Sequence, residues 1–206
     1  KEEVVRCCIS KKHLVEDPPP GLRQSPKWGG LDYGTGDVGF TLLSIWNYDA
    51  EGRLSLVYGK RYEGREADPN FYLPHVVRTC RLFNVKRLGT DWGFGFQANP
   101  VLRKELGVNR VIPYFHMGMQ RQKVKFDNDG DKFTTHRTRV LEDCFKLIRR
   151  GPVSVGVSFP CWEESEQFLR DVLHVYSEYS EASRQLIYDH RDDEPDDFLH
   201  SFCYAF

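Results

Sequence analysis

The chain has 206 residues, 40% of them hydrophobic and 14% aromatic, with a formal net charge of −1. That composition supports one substantial core at the upper end of single-domain length, and no apolar run approaches the ~18 residues of a membrane span, so no membrane association is expected. The six cysteines (Cys7, Cys8, Cys80, Cys144, Cys161, Cys203) form no C-x-x-C pair, which argues against a zinc motif and a disulfide framework and points to a reducing cytosol.

The sequence begins KEEVVRCCIS without an initiator Met and ends in an apolar stretch, so it is expected to be a piece of a longer protein. Cys7, Cys8 and His13 read as part of a short edge strand, because adjacent cysteines do not easily share one metal. EDPPPGLRQSP (16–26) has too many prolines for a helix or an interior strand and reads as an extended linker. Residues 1–26 are therefore expected to be an N-terminal segment and Pro-rich linker, and 27–206 the domain proper.

Three β-rich runs follow: WGGLDYG, VGFTLLSIWNY (38–48) and RLSLVYGKRYE (53–63), joined by turns at GTGD (34–37) and DAEG (49–52). Links this short make antiparallel neighbours, so a three-strand meander is expected. Asp68 followed by Pro69 predicts a helix start, with Pro74 interrupting the helix or marking its true beginning. VKRLGTD (85–91) reads as a buried strand reached through a helix, hence parallel to a strand of the meander. Further elements are a helix at 99–107, a strand at 110–117, a basic hairpin region at 117–135 and an amphipathic helix at 137–150. After them come a short strand at 153–159, a long helix from Glu163 to about Ala182, a strand at 184–190, and a last helix opened by Pro195. The expected fold is α/β, an antiparallel three-strand meander continued by parallel strands and flanked by helices.

Charge is uneven. Residues 103–150 hold twelve Lys or Arg against six Asp or Glu, whereas 163–197 hold three against twelve. The basic stretch is as consistent with a solvated face as with a nucleic-acid surface. Asp32, at the end of the first strand, could hold a metal, face a phosphate or cap a turn. Asp91 ends the strand after the first helix, and Asp196 and Asp197 open the last helix, where the macrodipole alone also favours acids. If the strands of Asp32 and Asp91 are neighbours, the acids meet at one sheet edge. Such hard oxygen ligands suit Mg²⁺ or Mn²⁺, and two ions about 4 Å apart can clamp a phosphodiester displacement.

With "GGLDYGTG", "VKRLGTDWGFG" and "DDFLHSFCYAF" in this order, the chain resembles the RNase H-like superfamily, and within it the nuclease domain of the large terminase subunit of tailed bacteriophages. The resemblance covers roughly residues 28–206. It implies a metal-dependent endonuclease that cuts double-stranded concatemeric viral DNA during packaging with two Mg²⁺ or Mn²⁺ ions, in the host-cell cytoplasm. Asp32, Asp91, Asp196 and Asp197 would be the catalytic metal ligands, with Asp196 preferred as the helix's first residue, and His190 and Asp193 form an alternative H-x-x-D pair. Arg121, Lys123, Lys125, Arg137, Arg139, Arg149 and Arg150 would grip DNA, and Trp92, Phe94 and Phe96 would lie in a nearby loop or pack beneath the site. The implied partners are an N-terminal ATPase domain, a small terminase subunit and a portal protein. No G-x-x-x-x-G-K-[ST] occurs, which fits a nuclease part without its motor.

Three rival readings use the same residues. "LDYGTG" also fits the phosphate turn of an actin-like ATPase, although "DWGFGF" is a poor second turn. A noncatalytic DNA-binding or assembly module of the packaging machine would carry the acids as a solvated patch without metal affinity. A Holliday-junction resolvase would share fold and acids.

Overall fold

The computed structural model describes residues 1–34, 40–118, 120–153, 155–181 and 184–206. The predicted turn at 34–37 and the first residues of the 38–48 run fall largely outside these, as do Ser154 and Ala182. The strands are β1 (Lys27–Asp32), β2 (Thr41–Tyr48), β3 (Leu54–Tyr62), β4 (Val85–Asp91), β5 (Val111–Met117), β6 (Val124–Asp127), β7 (Lys132–His136) and β8 (Val157–Ser158). They form one mixed sheet in the order β6-β7-β5-β4-β1-β2-β3-β8. The meander β1-β2-β3 is antiparallel, and β4 adds to β1 and β5 to β4 in parallel, as the helical connection required.

The helices are α1 (Glu2–Arg6), α2 (Pro20–Gln24), α3 (Pro69–Leu82), α4 (Ala98–Leu106), α5 (Arg137–Arg150), α6 (Trp162–His174) and α7 (Asp197–Ala205). Strand β2 is buried on both faces, and its alternation divides the core. Leu42 and Trp46 join Leu141, Ile148, Phe168, Phe198 and Phe202 from α5, α6 and α7, while Leu43 and Ile45 join Val76, Cys80 and Leu102 from α3 and α4. Each layer of helices thus covers one face.

Several local readings differ from the structure. The N-terminal segment is the helix α1 rather than an edge strand, with one parallel bridge from Cys8 to Phe159; burying Val4 and Cys7 in the core favours the helix. Within 16–26 the prolines permit a five-residue helix, because Pro20 stands at its first position, where a missing N–H costs nothing. Helix α3 runs straight through Pro74; one lost hydrogen bond is outweighed by buried Tyr72, Val76, Val77 and Cys80. Among the described residues of the 153–159 run only Val157–Ser158 is strand, and the Gly156 N–H donates to the Val153 carbonyl at 3.0 Å just before it.

The predicted long helix ends at His174, and β9 (Tyr176–Ser180) pairs instead with β10 (Gln185–Asp189) as a separate antiparallel ribbon. The apolar stripe of Phe168, Leu169 and Val172 stops there, and beyond it a helix would have no face to bury. Tyr188 of β10 stacks on Phe145 of α5 at 5.2 Å, which seats the ribbon.

Helix α7 lies directly on β1 and β4, where two glycines allow its backbone to touch the sheet. A Cβ on Gly30 would stand 1.7 Å from the Ser201 carbonyl oxygen, and one on Gly89 1.9 Å from that of Tyr204. Ser201 Oγ donates to the Gly30 carbonyl at 2.8 Å and pairs with Ser44 Oγ at 2.6 Å. This contact fixes where the helix begins.

Candidate active site

Asp32 ends β1 and Asp91 ends β4. Because Leu31 sits opposite Thr90 in parallel register, the next rung places the two acids side by side at the carboxyl ends of strands about 4.8 Å apart. In open α/β sheets, ligand crevices lie outside those ends. Asp91 is held from several sides: its Oδ2 accepts the Phe94 N–H at 2.7 Å, its Oδ1 the Tyr204 hydroxyl at 3.4 Å, and its carbonyl the Asn99 side-chain amide at 2.8 Å.

Helix α7 delivers the remaining acids, one position later than expected. Asp196 is the N-cap and Asp197 the first helical residue, while Pro195 precedes the cap. The two aspartates differ in role. Asp196 Oδ2 lies 3.0 Å from His200 Nε2 and 3.3 Å from Arg137 Nη2, and its Oδ1 is 3.6 Å from His190 Nε2. Burial pushes the Asp196 carboxyl up, but these basic groups outweigh it and hold the carboxyl well below its ordinary range. Asp197 is 7% exposed and accepts only the Phe40 N–H, at 2.9 Å, among the hydrogen bonds of the described residues. Its carboxyl is raised, first by burial and then by Asp196, against the pull of the Phe40 N–H and Arg61.

Asp32 is the most perturbed of the set. Burial raises its carboxyl far above the usual range, and Asp197, Asp91 and Asp196, in that order, raise it further. Among the described residues the charges that act on it most are acidic, and only the Tyr33 backbone hydrogen bond pulls the other way. Among the described residues no three of these carboxylates bring their oxygens within 4.8 Å of one another; unneutralised like charges splay. An all-oxygen, acid-rich and partly buried donor set fits a hard divalent cation such as Mg²⁺ or Mn²⁺.

The other sequence candidates divide by position. His190 and Arg137 join the acids through Asp196, whereas Asp193 is exposed in the loop before it. Burial would lower His190, but the Asp196 carboxylate and backbone carbonyls outweigh it and raise the imidazole. Arg121 and Lys125 line a 550 Å³ groove with Gln120, Gln122 and Thr134, Lys123 pairs with Asp143, and Arg139 donates to the Arg121 carbonyl at 3.0 Å. Arg149 and Arg150 lie at the far end of α5, roughly 20 Å along the helix from Arg137. The structure does not bring them to the acids. Phe94 and Phe96 are exposed in the loop after Asp91, while Trp92 packs against Phe115 at 5.6 Å.

Sequence reasoning missed Asp171, Arg61 and His200. Asp171 is fully buried on α6, forms an ion pair with Arg61, and its Oδ2 accepts the Phe198 N–H at 2.9 Å. It therefore caps α7, the task that the Asp196 side chain leaves undone. Burial pushes the Asp171 carboxyl up to about 6 even against Arg61 and the Phe198 N–H. A signal was available: an acid among Phe168, Leu169 and Val172 on an apolar helix stripe needs a buried partner. His200 stands one turn after Asp196, where i,i+4 pairs meet.

No protein-family model matches the chain, and no curated protein is similar to it in sequence. Solved structures do share its fold. The large terminase nuclease of thermophilic phage G20c superposes with a TM-score of 0.67 at 14% identity, covering 98% of this chain and 94% of that one. The nuclease domain of the large terminase g2p of bacteriophage SPP1, solved with bound Mn, gives 0.55 at 14% identity, covering 98% and 96%. The large terminase of bacteriophage HK97 gives 0.61 at 10% identity; 99% of this chain is covered, but it spans only 42% of that one. No helix among the described residues is long and apolar enough to cross a membrane. The chain has the RNase H-like fold of large-terminase nuclease domains.

Proposed function

We propose that this chain is a divalent-cation-dependent endonuclease that cuts double-stranded concatemeric viral DNA during genome packaging. The observation that carries the reading is Asp32, a buried acid at the carboxyl edge of the sheet, whose main charged neighbours are the acids Asp197, Asp91 and Asp196. Asp32, Asp91 and Asp197 would hold the ions, and Asp196, already paired with Arg137 and in contact with His190 and His200, stays turned away from them. When bound, two Mg²⁺ or Mn²⁺ ions would supply Lewis-acid stabilisation of the attacking and leaving oxygens of a phosphodiester displacement. Tyr204 and the Phe94 N–H hold the Asp91 carboxylate in place. Arg121, Lys123, Lys125 and Arg139 provide the basic surface beside this edge for the DNA backbone.

In this reading the chain works in the host-cell cytoplasm as the nuclease part of a larger packaging protein, with an ATPase domain before it and a small terminase subunit and portal as partners. The likeness to the longer HK97 terminase supports that arrangement. The test is nicking of supercoiled plasmid with Mn²⁺ or Mg²⁺, with Asp32→Asn and EDTA as controls. Metal-dependent nicking abolished by Asp32→Asn is expected; no cutting together with no Mn²⁺ binding by calorimetry would replace this reading with a noncatalytic module.

A further inference from the structure

A second set of metal-ligating side chains lies where the N-terminal segment meets the start of α6. His13 Nδ1, Cys161 Sγ and a Glu164 carboxylate oxygen fall within 4.8 Å of one another. Nδ1 is 2.7 Å from Glu164 Oε1 and 3.9 Å from Cys161 Sγ. Tetrahedral zinc, with bonds of ~2.0–2.3 Å, sets its donor atoms roughly 3.3–3.8 Å apart. The two observed distances bracket that spacing, so small rotations of His13, whose side chain is 63% exposed, would meet it.

We infer that His13, Cys161 and Glu164 form a Zn²⁺ site with three protein ligands and a fourth position open to solvent. A thiolate with an imidazole selects Zn²⁺ over the hard cations that suit the all-carboxylate edge. The ligands are already oriented by their surroundings. Glu164 Oε2 accepts the Leu14 N–H at 2.6 Å, which leaves Oε1 toward His13, and the Cys161 N–H donates to the Lys12 carbonyl at 2.9 Å. Such outer hydrogen bonds fix ligand geometry in metal sites. Cys161 Sγ, within 4.8 Å of the other two donor atoms, is the sulfur donor.

Zinc here takes the place of the proton shared by His13 and Glu164 and ties the chain before β1 to α6. The sequence shows no zinc motif because the ligands come from segments 148 residues apart. The inference is independent of the nuclease reading.

Co²⁺ titration of the metal-stripped protein tests it, because a thiolate-to-cobalt charge-transfer band can arise only at a cysteine ligand and not at the carboxylate edge. One equivalent of Co²⁺ should produce the band and tetrahedral d–d transitions. Both should vanish in Cys161→Ser and persist in Asp32→Asn. His13→Ala, a change at an exposed side chain, should weaken binding by more than about a hundredfold, beyond the loss an outer partner causes. Zn²⁺ should displace Co²⁺ and raise the melting temperature of the wild type but not of His13→Ala. Absence of the band, a band that survives Cys161→Ser, or unchanged Co²⁺ affinity in His13→Ala would overturn the site.

Discussion

Replacing Gly30 with alanine tests whether the sheet itself places the acids. The new methyl would lie 1.7 Å from the Ser201 carbonyl oxygen, and no real Cβ approaches closer than 3.0 Å. The helix must therefore rise off β1 by about 1.3 Å, because the obstacle is backbone and cannot rotate away. Overpacking of this kind costs ~1–3 kcal/mol, which urea unfolding would register as a lower midpoint with an unchanged slope. The same displacement carries Asp197 away from Asp32 and Asp91, and a misplacement near 1 Å reduces a positioned reaction by roughly a hundredfold. Metal-dependent plasmid nicking should fall by about that factor in protein that remains folded. Gly21→Ala is the control, since a Cβ there meets nothing within 4 Å. A Gly30→Ala protein with wild-type stability and wild-type rate would refute the claim that α7 rests on β1 and that this contact sets the site.

Asp171→Ala removes the α7 cap and strands Arg61, whose side chain is 13% exposed; loss of ~3 kcal/mol is expected, as for other broken buried pairs, and a loss under about 1 kcal/mol would place the pair in the weak surface class. Burial raises the Asp49 carboxyl, but hydrogen bonds from Lys12 and Arg53 outweigh it and lower it from 3.8 to about 2. Its contribution, about 2 kcal/mol, is present above the unfolded value and is lost as pH falls from roughly 4 to 2. Asp49→Asn should lower stability at pH 7 and flatten the denaturation profile over that window, and an unchanged profile would remove Asp49 from the acid response. For DNA binding, Arg121→Ala with Lys125→Ala should reduce the slope of log affinity against log salt by about 0.9 per lost phosphate contact. Arg149→Ala with Arg150→Ala should leave it unchanged, and the opposite result would move the DNA to the far end of α5.

The sheet was legible where short links and period-2 alternation coincide. The meander β1-β2-β3, the parallel addition of β4, and the bounds of α5 could be read from turn chemistry and apolar spacing. Segments whose structure is set by what packs or pairs against them could not. Tyr176–Ser180 is strand because β10 lies beside it, and residues 2–6 are helix because α5 offers Val4 and Cys7 a place to be buried. β10 follows β9 after only four residues, but nothing at 176–180 itself marks a strand, and α5 lies far from residues 2–6 in sequence. Gly30 and Gly89 were visible as glycines, but only the crossing of α7 explains them.

The four acids were legible as residues, though not in their division of labour. Asp196 and Asp197 are adjacent, and on a helix adjacent side chains diverge by about 100°, so only one can face the sheet edge squarely. Sequence reasoning favoured Asp196 because Pro195 precedes it. The structure turns Asp196 toward Arg137, His190 and His200 instead, and sets Asp197 as the strongest charged neighbour of Asp32. Charge balance then supports the proposed chemistry. With Asp196 paired to Arg137, Asp32, Asp91 and Asp197 would supply three negative charges against the four positive charges of two divalent ions, and the remaining charge would match one phosphodiester. If Asp196 were a free ligand as well, the protein alone would neutralise both ions and weaken their hold on the substrate. In the proposed nuclease, the three basic groups around Asp196 would serve the reaction by keeping one acid out of it.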